Sequence, residues 1–360
     1  MKLAIVHEWL TGFGGAERCV IEFSRIFPDA PIFTSVYDEK RFKEIIPPER
    51  VRTSFLQNFP KAKERYRSFL PLMPRAFQSF NLHGYDVILS SSHCCAKGIR
   101  KPEGAIHVSF IYTPMRYVWE LYPLYRDSLT GLTRILFEMI APSLRRWDLA
   151  SNKGVDYFIP ISHEVDRRLE KIYNRKGSMV IYPPVDVKRF LYDGPRGEHF
   201  LVTHRFVPYK RVDIAIKAFT EMGVPLKVLG EGPDEEKLRA IAGKNIEFLG
   251  FVPDEKLPEI YGSARALVFT SLEDFGLAPI ESMAAGTPVI AYGAGGALET
   301  VIEGKTGTFF HEQTPESLVE SVQRFEKMTF NKADLIKRAY DFDVSIFRRQ
   351  IKSFIENLKS

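Results

Sequence analysis

Ala266-Leu267-Val268-Phe269-Thr270-Ser271-Leu272-Glu273-Asp274-Phe275-Gly276-Leu277-Ala278-Pro279-Ile280-Glu281 reads as an apolar strand, a polar loop and the opening of a helix. The strand is short and continuously apolar, as a parallel strand covered on both faces must be. Gly276 and Pro279 place the helix start near Pro279, with Glu281 in its first turn and Glu273 in the loop above the strand end. The same unit recurs along the chain. Upstream, strands are expected at residues 2–7, 86–90, 105–112, 156–160 and 179–182. Helices are expected at 16–27 and 129–151, with another opened by Ser162. Downstream, strands are expected at 199–203, 226–229, 246–249, 266–270, 288–291 and 308–310, and a last helix at 345–358.

Two such series meet at Pro183-Pro184, so the 360-residue chain is expected to be an α/β protein of two doubly wound, Rossmann-like domains facing a cleft. With 45% hydrophobic and 26% charged residues and a mean hydropathy of −0.15, the composition is globular. No apolar run reaches the roughly 20 residues that span a bilayer. The first strand meets Glu8 where a secretory leader would stay apolar. Three cysteines, two of them the neighbours Cys94 and Cys95, make neither a disulfide framework nor a spaced metal set. A cytoplasmic chain is the expectation.

The net charge of +5 is unevenly divided. Residues 1–182 carry 27 Lys+Arg against 19 Asp+Glu, and residues 183–360 carry 23 against 26. Residues 40–75 alone hold 10 basic and 3 acidic side chains. Between 52 and 80, Phe55, Leu56, Phe59, Tyr66, Phe69 and Leu70 interleave with Lys61, Lys63, Arg65 and Arg67, a pattern suited to an anionic membrane surface. The plain alternative packs the apolar side chains inward and leaves the cations to water. No other segment has the character of a nucleic-acid module, and no nucleic-acid partner is expected.

Polar residues gather where strands end. Arg205, Lys210 and Arg211 follow the first strand of the second series, where a fixed Arg and a flexible Lys neutralise a diphosphate. Gly230-Glu231-Gly232-Pro233 forms a turn that lets backbone approach a ligand. Gly12-Phe13-Gly14-Gly15 follows the first strand and opens a helix, but it is not G-x-G-x-x-G, which disfavours a nicotinamide enzyme. Backbone at Phe275, Gly276 and Leu277 would face an anion at the helix start, and a carboxylate there suits sugar or ribose hydroxyls.

Taken in order, these motifs resemble glycosyltransferase family 4, retaining enzymes of the GT-B arrangement, nearly end to end. The resemblance implies that residues 1–182 plus 340–360 form an N-terminal acceptor-binding domain, with the C-terminal helix crossing back to it. Residues 183–339 would bind the nucleotide-sugar donor. It implies catalytic roles for Arg205 and Lys210 at the diphosphate and for Glu273 beside the sugar. Donor binding would fall to Gly14, Gly15, Gly232, Phe251, Phe275, Gly276, Leu277 and Glu281, with Glu281 on the ribose. Ser90 to Gly98 and Tyr112 to Trp119 look like a bacterial branch that transfers mannose or a related sugar to a lipid-linked saccharide in surface polysaccharide assembly, which makes GDP-mannose the expected donor. His93, Tyr112 and Arg116 then line a sugar or acceptor pocket. Relatives commonly carry His where Tyr112 stands.

No cofactor and no metal are expected, since Asp341-Phe342-Asp343 reads as acids at a helix start rather than a metal-binding Asp-x-Asp. The expected setting is a peripheral one at the inner face of the cell membrane. A nucleotide-sugar 2-epimerase of the same fold and a non-catalytic sugar- or nucleotide-binding protein are the rivals. The first would turn over without acceptor, and the second would release no nucleoside diphosphate.

Overall fold

A computed structural model describes residues 1–358. The chain divides into two compact units, Met1–Tyr182 together with the chain from Arg348 onward, and Pro183–Phe347.

In the first unit six strands form one parallel sheet: β1 (Leu3–His7), β2 (Ile32–Thr34), β3 (Val51–Thr53), β4 (Val87–Ser92), β5 (Ile106–Ile111) and β6 (Tyr157–Pro160). Their order is β3-β2-β1-β4-β5-β6. β1 and β4 are buried along their whole length, which is why both read as unbroken apolar or small-residue runs. The second unit repeats the plan with β7 (Phe200–Thr203), β8 (Leu226–Leu229), β9 (Ile246–Gly250), β10 (Leu267–Phe269), β11 (Val289–Tyr292) and β12 (Gly307–Phe310). Its order, β12-β11-β10-β7-β8-β9, is the same winding read from the other edge. Both are doubly wound Rossmann-like sheets. In each, the winding reverses between the first and fourth strands, where loops diverge and leave room for a ligand beyond the carboxyl ends.

The second unit follows its sequence closely, while the first departs in three places. β2 and β3 were not anticipated. Each has three residues, and β3 buries only Val51 and exposes Arg52 and Thr53, the character of a charged edge strand. No strand forms at 179–182: there Ile181 N–H reaches Pro160 C=O (3.2 Å) as a single bond and no ladder follows. The helix expected at 129–151 forms as Gly131–Ser151, and a short helix ahead of it, Tyr122–Ser128, was not anticipated. By contrast, Ser162 caps helix His163–Tyr173, its hydroxyl accepting from Val165 N–H at 3.1 Å.

Residues 340–347, expected with the first domain, lie in the second unit. The reason is local. Val185 N–H bonds Phe342 C=O (3.1 Å), Val344 N–H bonds Val185 C=O (2.9 Å), and Phe342 meets Phe275 edge-on at 5.6 Å. Asp343 caps the last helix, Val344–Asn357, accepting from Ser345 N–H at 3.0 Å. That helix starts in the second unit and finishes in the first.

Candidate functional site

In the second unit, the reversal lies between β7 and β10, and the two loops leaving these strands are tied together. Thr270 Oγ1 donates to Lys210 C=O at 2.8 Å, and Gln313 Nε2 donates to Thr270 C=O at 2.9 Å. Between the loops, the Lys210 ammonium pairs with Glu273 Oε1, the two side chains 18% and 14% exposed. Ser271 Oγ donates to the same carboxylate oxygen at 2.9 Å and stands 3.2 Å from His204 Nε2. With the Ser271 proton committed to Glu273, His204 donates through Nε2–H. Burial and then the adjacent Lys210 charge push the His204 imidazole down to about 3, against the pull of Glu273, so it stays neutral at ordinary pH. Arg205 is exposed on the same loop, and Arg211 turns away to Asp213 (3.1 Å).

The helix after Glu273 spans Leu277–Ala284 and so begins two residues before Pro279, which puts Glu281 in its second turn. Gly276 starts it at φ +90°, and a Cβ there would stand 2.8 Å from the Phe269 ring. Glu281 is buried, and Tyr261 donates its hydroxyl to Oε2 at 2.9 Å. The Phe275 side chain is core, so only its backbone is available to a ligand.

At Gly232 a Cβ would fall 2.3 Å from Phe206 C=O, so the turn packs closely on the chain's own backbone. Phe251, after β9, is 75% exposed. The sequence reading passed over Gly295 and Gly296. A Cβ on either would strike Glu273 C=O (2.5 Å) or Phe275 Cα (2.2 Å), and Gly296 N–H bonds Glu273 C=O at 2.9 Å. Gly293-Ala294-Gly295-Gly296 after a strand was the available signal.

The carboxyl ends of β1, β4 and β5 form a separate polar cluster in the first unit. Gly14 is the extended residue before helix Gly15–Ile26, and Glu17 sits in that helix's first turn. Burial alone would raise the Glu17 carboxyl, but His7 and then His93 hold it below the usual range. Tyr112 is buried. Its hydroxyl donates to Ala16 C=O (3.1 Å) and stands 2.9 Å from Ser91 Oγ, which in turn is 3.1 Å from His7 Nδ1. His93 is half-buried against the Trp9 edge (4.9 Å), and burial lowers its pKa. Arg116 is half-buried.

Glu8, fully buried, was read only as an argument against a leader. Its Oε1 accepts from Ser92 Oγ (3.1 Å) and from the amides of His93 (3.2 Å), Cys94 (2.8 Å) and Ala96 (3.0 Å), and its Oε2 accepts from Cys95 N–H (2.9 Å). The carboxylate thus fills an amide nest and fixes the loop that carries His93. Cys19, Cys94 and Cys95 are free and buried, and burial raises all three thiols. Among the described residues, no group of three or more His, Cys, Asp and Glu is placed to hold a metal ion.

Comparison with known proteins locates this architecture. Residues 194–342 match the family model for Glycosyl transferases group 1, which covers nearly all of the second unit. An uncharacterized glycosyltransferase of Methanocaldococcus jannaschii is 33% identical over 46% of this chain and 48% of its own length. A GDP-mannose-dependent alpha-(1-6)-phosphatidylinositol monomannoside mannosyltransferase of Mycolicibacterium smegmatis is 34% identical over 29% of this chain and 32% of its own. The chain therefore spans about half the length of these curated relatives or less. Among solved structures, Anabaena HepE in complex with UDP superposes with a TM-score of 0.74 at 19% identity, covering 99% of this chain and 100% of that one. Sucrose-phosphate synthase of Thermosynechococcus elongatus gives 0.75 at 18%, covering 99% of each.

Proposed function

We propose that the chain is a retaining glycosyltransferase that moves a hexose, mannose from GDP-mannose, to a hydroxyl of a lipid-linked glycan during bacterial surface polysaccharide assembly. One observation carries the reading: Lys210 and Glu273 converge on the β7/β10 reversal, with Arg205 exposed beside them, in the segment that matches the glycosyltransferase model. The mannosyltransferase name of the Mycolicibacterium relative supports the sugar and the base. The UDP held by HepE supports a nucleoside diphosphate as the bound portion.

Chemically, the bond between the anomeric carbon and the diphosphate oxygen breaks, and the acceptor oxygen forms the new bond on the face just vacated. The acceptor proton leaves with the departing phosphate. Arg205 and Lys210 neutralise the diphosphate, a task that two side-chain cations perform without a metal. Glu273 orients sugar hydroxyls, Glu281 accepts from the ribose, and backbone at Gly276 and Leu277 meets the phosphate through a helix start. In the first unit, His93, Tyr112 through its ring, and Arg116 border the acceptor. The enzyme works in the cytoplasm at the inner membrane face.

Thermal-shift titration with GDP-, UDP- and dTDP-sugars tests the donor site, and GDP-mannose is expected to raise the melting temperature most. Stabilisation by none of them would remove the reading. Release of GDP only when acceptor is added separates transfer from epimerisation and from mere binding.

A further inference from the structure

Asp148 lies on the buried face of helix Gly131–Ser151, in line with Ala141 and Leu144, where an apolar side chain would be expected. It is fully buried, and Lys97, 2% exposed, pairs with its Oδ1 at 2.8 Å. The Lys97 ammonium also donates to Asp148 C=O (3.0 Å) and to Ser151 Oγ, which accounts for its three protons. Asp148 Oδ2 accepts from Trp119 Nε1–H (2.7 Å) and from the Tyr173 hydroxyl (2.8 Å). Burial and then the Asp148 charge push the Tyr173 phenol well above the usual range, which keeps it a donor.

A buried ion pair seldom stabilises a fold more than apolar side chains of the same volume would, so stability alone does not account for this one. Its geometry joins two loops. Lys97 follows β4, four residues after His93, and its own N–H donates to Ser92 Oγ at 3.2 Å. At the adjacent Gly98 a Cβ would fall 2.2 Å from the Trp147 ring, so this loop packs directly on the helix. Trp119 follows β5, three residues after Arg116, and the neighbouring Val118 C=O accepts from Arg145 Nε at 2.5 Å. Glu8 fixes the near end of the first loop through the amides of residues 93–96. The far end of that loop and the second loop both reach helix Gly131–Ser151, and they meet there at one carboxylate.

We propose that Asp148, acting through Lys97 and Trp119, is a positioning residue that sets the spacing between the loops carrying His93 and Arg116. The inference rests on the acceptor role proposed for those two side chains. Because a network with every proton committed moves as a unit, freeing one loop from Asp148 loosens the other. Tyr173 supplies the control: it donates to the same oxygen from helix His163–Tyr173 and belongs to neither loop.

The test is amide hydrogen exchange of the whole chain, read by mass spectrometry over residues 93–98 and 112–121, beside transfer kinetics from GDP-mannose to octyl α-D-mannopyranoside. Asp148→Asn keeps the volume and an acceptor oxygen but removes the charge that holds Lys97. Exchange in both segments should rise at least about tenfold, and KM for the mannoside about tenfold, with kcat and KM for GDP-mannose within about twofold. Lys97→Gln/Asp148→Asn, a neutral amide pair of similar shape, should restore most of the protection and of the acceptor KM. Tyr173→Phe should lower the melting temperature yet leave both segments and both KM values within about twofold. Should Asp148→Asn fail to fold, Trp119→Phe carries the test, loosening residues 93–98 as well as its own loop. Three results would overturn the proposal: loosening confined to one loop, both loops loosened with the mannoside KM unchanged, or a parallel rise in KM for GDP-mannose, the mark of a general loss of structure. Failure of the wild type to transfer to the mannoside would count against the proposed acceptor instead, and the exchange data would still decide whether Asp148 joins the loops.

Discussion

The two sheets share one winding order, yet each furnishes its reversal point with a carboxylate in a different way. In the first unit Glu8 is sealed from water and accepts from five protein donors. In the second, Glu273 is partly open and shares one oxygen between Lys210 and Ser271. A carboxylate whose acceptor sites are filled by backbone amides holds a loop in place. One matched by a flexible ammonium and a hydroxyl can exchange them for a ligand. The same topology thus supports an anchor in one unit and an exchangeable charge pair in the other.

Four measurements would break or sharpen that contrast. Lys210→Ala should lower sugar transfer about a thousandfold, equivalent to about 4 kcal/mol, with the unfolding curve unchanged; wild-type turnover would end the distinction. Glu8→Ala should do the opposite. Leaving five donors without their acceptor is expected to cost about 3 kcal/mol, read as a lower urea midpoint, with donor binding nearly intact.

The third effect is smaller and depends on pH. A lowered His204 pKa adds stability that is complete above the unfolded value of 6.5 and is lost as pH falls towards about 3. At pH 5 the wild type should have lost about 2 kcal/mol relative to pH 7.5, and a His204→Gln variant should lose that much less across the same window. An identical pH dependence in both would show that His204 is not held neutral by its site. Least of all, Tyr261→Phe should weaken binding of the proposed donor, GDP-mannose, about fivefold by removing one hydrogen bond to Glu281, as calorimetry would show.

How much of this could be read beforehand follows from where the information lies. The six strands of the second unit are continuous apolar runs between glycine- and proline-bearing loops, and each was located to within a residue or two. β2 and β3 are too short to show a period, and β3 carries Arg52 on its edge. Glu273, Lys210 and Glu281 stood out because polar residues at strand ends have no packing reason to be there. The groups that set their geometry did not: Ser271, His204, Tyr261 and the Gly295-Gly296 cradle acquire meaning only from contacts across the sheet. Glu8 was hidden for a related reason, since its five donors lie 84 or more residues away.

The last helix imposes an order of events during synthesis. Arg348 pairs with the buried Glu22, 326 residues earlier in the chain, and Phe354 packs against Tyr157. At about 5–20 residues per second, a ribosome needs from about a quarter of a minute to about a minute to make the intervening chain. Throughout that interval Glu22 has Arg25 beside it and lacks its second counter-ion. The unit begun first is therefore completed last, after every strand of the second unit has left the ribosome.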